Sequence, residues 1–137
     1  MRRILGLALI GLVGLGLSLT PPVARPALGQ FAVCGPGTWR AINAETITVS
    51  STAIGPTIAK LTGAANAPAE CATASVGVNS ISCYVDGSTP TASVGHLWQV
   101  GERFVVMGNV NLQNMKCIRT ASPDAALAIT YYVNAKP

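Results

Sequence analysis

Charge is scarce in this sequence. Asp, Glu, Lys and Arg make up 10% of its 137 residues, against roughly 25% in an ordinary soluble domain. That scarcity excludes an acidic disordered tail and a coiled coil, both of which need dense charge. Aromatic residues are equally sparse, at 5%. Histidine occurs once, as His96, so Ser–His–Asp or Cys–His chemistry has a single residue to use. No Gly-x-Ser-x-Gly elbow and no Cys-x-x-Cys pair is present, which leaves an acyl-transfer enzyme and a zinc site without their usual spacing. The length suits one domain and excludes a large multidomain enzyme.

The first thirty residues are organised differently from the rest. Met1-Arg2-Arg3 is a short basic start, and Ile4 to Leu19 runs sixteen residues without a charge. A Pro-rich stretch from Thr20 then ends in Ala27-Leu28-Gly29. This is the layout of a secretory signal peptide, with small residues at the cut. Residues 1–29 therefore read as a signal peptide and 30–137 as the mature domain. As a helix the apolar run would rise about 24 Å, short of a hydrocarbon core of roughly 30 Å. Membrane attachment is expected only through the leader, if it is uncleaved. Without Arg2, Arg3 and Arg25, six Lys and Arg face five acids, too few cations for a nucleic-acid surface.

All four cysteines, Cys34, Cys71, Cys83 and Cys117, lie after the leader. An even count behind an export signal reads as two disulfides. Three pairings are possible. The expected one is Cys71–Cys83 with Cys34–Cys117, because Cys71 and Cys83 flank an apparent hairpin.

The mature chain alternates with period two, the strand period. Strands are expected at Thr46–Ser51, Cys71–Val76, Ser80–Val85, Leu97–Val100, Arg103–Met107, Met115–Thr120 and Ala126–Val133. Gly77-Val78-Asn79 and Gly101-Glu102 read as hairpin turns. Ile81, Cys83 and Val85 should point inward, with Ser82 and Tyr84 outward. Leu127, Ile129, Tyr131 and Val133 should share the buried face of the last strand. Asn109 to Asn114 reads as a polar connection, and Pro56 to Leu61 as a turn or two of helix. Seven or eight short strands without a long helix predict an all-β antiparallel sandwich or a jelly-roll-like fold.

Candidate functional residues are few. Asp86, Glu102 and Asp124 fall in turns, where acids ordinarily serve the backbone. No catalytic constellation, cofactor or metal is expected. A binding role would fall to three residues, Trp98, His96 beside it on a short strand, and Asp86 at the head of the Asp86–Gly95 loop. From Gln30 onward eleven Thr, eight Ser and seven Asn outnumber eleven charged residues. Charge normally keeps strand edges apart, so this composition suits self-association or packing against a protein partner.

One stretch carries a resemblance. Asp86-Gly87-Ser88-Thr89-Pro90-Thr91-Ala92-Ser93-Val94-Gly95-His96 is followed by Val100-Gly101-Glu102, Phe104-Val105-Val106, Cys117-Ile118-Arg119-Thr120 and Ile129-Thr130-Tyr131-Tyr132. Over Cys71 to Val133 this resembles small β-sandwich proteins of tailed-phage and prophage structural regions, with their DGxxPTxxxGH and GE pattern. The chain departs from them in its export leader and its four cysteines. The resemblance implies a virion or surface accessory protein without assigned chemistry. Together these readings predict a secreted, periplasmic or cell-surface structural protein, with a virion role possible. A small extracellular module binding a glycan or a protein is the alternative.

Overall fold

A computed structural model of the chain describes Cys34 and residues 38–135. The expected signal peptide, residues 1–29, and its expected cleavage point lie outside the described residues. Seven strands form two antiparallel sheets, as expected for an all-β sandwich. The four-stranded sheet has the order β1 (Trp39–Val49), β7 (Ala125–Asn134), β2 (Cys71–Val76), β5 (Arg103–Met107). The three-stranded sheet has the order β4 (His96–Trp98), β3 (Ile81–Tyr84), β6 (Lys116–Arg119).

Alternation decides what each strand buries. In β7, Ala125, Leu127, Ile129, Tyr131 and Val133 are all buried and the intervening residues are not. Ile47 and Val49 of β1, Ala72, Ala74 and Val76 of β2, and Phe104 and Val106 of β5 join Ala125, Leu127, Ile129 and Tyr131 in one core with Ile81 and Cys83. Each large aliphatic side chain buried there contributes about 1.5–3 kcal/mol. Small alanines on β2 leave room for their cross-strand neighbours, Phe104 beside Ala74 and Tyr131 beside Ala72.

Both expected hairpins are corrected by the structure. β2 and β3 are consecutive but lie in different sheets, and so do β4 and β5. Gly77–Asn79 and Gln99–Glu102 are therefore corners where the chain crosses between layers. Asn79 takes a positive φ, 54°, at this corner. The amide of Glu102 closes a turn on the carbonyl of Gln99 at 3.0 Å. A turn signal reports a reversal, and a reversal into the facing sheet uses the same residues as a hairpin.

The expected cysteine pairing fails for the same reason. The disulfides are Cys34–Cys71 and Cys83–Cys117. Cys71 projects from the outer face of the four-stranded sheet, whereas Cys83 belongs to the core, so the two cannot meet. Cys83 lies directly opposite Cys117 in the β3–β6 ladder, with Cα atoms 4.2 Å apart.

Helical structure is slight. A 3₁₀ turn at Ile58–Leu61 lies where a short helix is expected, and a second follows at Ala64–Asn66. Asn109–Asn114, read from sequence as a connection, is a six-residue helix, α1. Its Leu112 is completely buried, which anchors the otherwise polar turn.

Candidate functional site

The motif from Asp86 to His96 is a loop that folds back over the outside of β3. Asp86 begins it by accepting a hydrogen bond from the Ser88 amide at 2.9 Å, a side-chain mimic of a backbone turn. That amide, chiefly, holds the Asp86 carboxyl below its ordinary range, and the nearby His96 adds a smaller attraction. Lys116 closes the turn from β6 by donating to the Gly87 carbonyl. Pro90 is buried, and Thr91 and Val94 pair across the tip.

Gly95 then brings the loop against the sheet at φ 140°. A Cβ there would stand 2.2 Å from the Ser82 hydroxyl. Ser82 points outward as its alternation predicts, yet it is buried because this loop covers it. Its hydroxyl donates to the Val94 carbonyl at 3.1 Å.

Two of the three residues singled out for binding come together. His96 and Trp98 line a cleft between β4 and β5 with Phe104, Val106 and Asn111. Trp98 stacks on Phe104, with ring centroids 4.4 Å apart, and so bridges the two sheets at their margin. His96 is exposed and meets Tyr84 edge-on at 5.8 Å. Asp86 is not among the residues lining this cleft, and its carboxylate serves the turn.

A second surface was not singled out from sequence. The outer face of the four-stranded sheet carries cross-strand rows set by its registers. One row reads Ala44, Thr130, Thr73, Val105, and the next reads Thr46, Ala128, Ser75, Arg103. Together with Tyr132 and Cys34 they line a broad open concavity of about 1150 Å³. Arg103 is the single ionisable side chain in the two rows. The period of two in β7 contained this face, since Ala128, Thr130 and Tyr132 are the complement of its buried residues. The neighbours that complete it became visible only with the strand order.

No known family, curated protein or solved structure matches the chain.

A polar pair also closes the margin of the core. The hydroxyl of Tyr131 donates to the Glu45 carboxylate, which accepts a second bond from the Thr57 amide. Burial pushes the Glu45 carboxyl up, but bonds from Thr57 and Tyr131 outweigh it and leave it below its ordinary range. Burial and the facing carboxylate push the Tyr131 hydroxyl far up. Among the described residues, no group of three or more His, Cys, Asp and Glu could hold a metal ion, and no helix is long and apolar enough to cross a membrane.

Proposed function

We propose that this is an exported, disulfide-clamped structural protein that assembles on a cell surface or virion through its β-sheet surfaces, without catalysis of its own. The observation that carries this reading is the outer face of the four-stranded sheet. Its two rows of small and β-branched residues hold one charge, where a freely soluble surface would carry roughly a quarter to a third. The two disulfides are compatible with an oxidising compartment. The resemblance of Asp86–His96 and the following strands to phage structural proteins supports a surface or virion setting.

Sedimentation of the disulfide-intact mature protein tests the assembly. A discrete oligomer should form between about 1 µM and 1 mM, the range from specific to marginal association. A monomer throughout would overturn the reading.

The cleft holding Trp98 and His96 favours a second reading, a small extracellular binding module. Such a module would stay monomeric, and its Trp98 emission would shift with a glycan or protein ligand.

A further inference from the structure

We propose that β5 is a self-association edge, pairing antiparallel with β5 of a second copy about a twofold axis at Val105. The proposal rests on the assembly reading above and names the strand and the partner that reading leaves open.

The direction of the free backbone groups comes from the β2–β5 ladder. Val76 donates to the Glu102 carbonyl at one end, and Gly108 donates to the Glu70 carbonyl at the other. Hydrogen-bonded pairs alternate along an antiparallel ladder. Phe104 and Val106 therefore turn their N–H and C=O groups toward β2. Arg103, Val105 and Met107 turn theirs away, to the open side. There the Met107 carbonyl accepts the Asn111 amide, which leaves its second lone pair available.

The other edges are guarded in ways that β5 is not. On β1 the register slips at Ala41/Asn43, and the Asn43 side chain ties the strand to the carbonyls of Lys60 and Thr62. β6 exchanges backbone bonds between Cys117 and Ile54 and receives cover from Ser50. β4 is only three residues long. Bulges, side-chain plugs, short length and covering segments are the usual defences of an edge. Among the described residues, β5 has only Arg103 at its start and the Asn111 amide on one lone pair of the Met107 carbonyl at its end. Val105 lines both the concavity on the outer face and the cleft between β4 and β5.

The strand is complementary to itself. With the axis at Val105, the two Val105 residues exchange both N–H···O bonds, and Arg103 faces Met107 of the second copy. No charge meets a like charge. The chain flanking β5 exposes Val100 by 57% before it, and Met107 by 43% and Val110 by 67% after it. Antiparallel pairing sets the Val100 end of one copy beside the Met107–Val110 end of the other, so apolar surface meets apolar surface at both ends. The low-charge outer faces then join into one continuous sheet.

Val105→Pro is the direct test. It deletes an outward N–H and leaves the bonds to β2 in place, the one setting in which a strand tolerates proline. Val105→Lys adds the charge that natural edges use. Each should weaken dimerisation by at least about tenfold, as loss of the central paired bonds implies, with an unchanged monomer circular dichroism spectrum. In the wild type, the Val105 and Arg103 amides should be protected from hydrogen exchange at high concentration and exposed on dilution. An oligomer that both variants retain would overturn the β5 edge while leaving assembly intact. A wild type monomeric at every concentration would overturn both. Should the proline variant fail to fold, the lysine variant and the wild-type exchange still decide. Protection that persists in the dilute monomer would show the edge already paired within the chain and end the proposal.

Discussion

Tyr131 is buried among aliphatic side chains, yet its hydroxyl reaches a carboxylate, so its packing and its polar bond are separable. Tyr131→Phe keeps the ring and removes the donor to Glu45, which should cost about 1.5–3 kcal/mol, the range for a bond to a charged partner. The pair also predicts two pH limits. Glu45 titrates lower folded than unfolded, so its contribution is present above its unfolded value near 4.5 and fades as pH falls through the folded one. Tyr131 titrates higher folded than unfolded. Its contribution is complete below about 10 and is lost as pH rises beyond that. Urea midpoints measured across pH should therefore fall at both extremes, with the alkaline fall reduced in Tyr131→Phe and the acid fall reduced in Glu45→Gln. Gly95 makes a different demand. An alanine there meets both a positive φ and the Ser82 hydroxyl, and should lower stability by about 1–3 kcal/mol. The Asp86–Gly95 motif thus has a local structural reason that needs no ligand.

At the scale of elements, strands were legible and their partners were not. The buried parity of β7 follows from Leu127, Ile129, Tyr131 and Val133 alone. The partner of β2 does not follow from Gly77–Asn79, because that turn delivers the chain to the other sheet. Helix α1 was hidden for a related reason. Its Asn-rich composition signals a loop, and only the cavity that receives Leu112 selects a helical turn. Leu112→Ala should therefore cost about 2–5 kcal/mol, the usual range for a truncated core side chain, measured by thermal or urea unfolding. Of the candidate site, Trp98 and His96 were legible as neighbours on a short strand. Phe104 and Asn111 were not, since they come from a strand and a helix beyond a sheet crossing. The disulfides offer the cleanest check on this layer. A non-reducing digest should yield Cys34 linked to Cys71 and Cys83 linked to Cys117. Replacing Cys83 and Cys117 together by alanine should lower stability by roughly 2–4 kcal/mol.

The whole molecule combines a sandwich core with a surface that carries little charge. Expressed with its leader in a bacterial host, it should be recovered from the periplasm or medium with Gln30 as its first residue. Its mass should fall four hydrogens below that of the reduced chain, as two disulfides require. A full-length chain with free thiols would contradict the exported reading. What the amino-acid order determined by itself is local: the apolar, charge-free run of Ile4 to Leu19, strand periodicity, the positions of turns and the availability of four cysteines. These depend on neighbours within a few residues, which composition and spacing encode directly. Tertiary structure alone decided which sheet each strand joined, which cysteines met, that Ser82 would be covered, and that β5, among the described strands, would pair with β2 alone. Those outcomes depend on contacts between residues far apart in the chain. Many pairings satisfy the same local pattern, and only simultaneous packing of both sheets around one core selects among them.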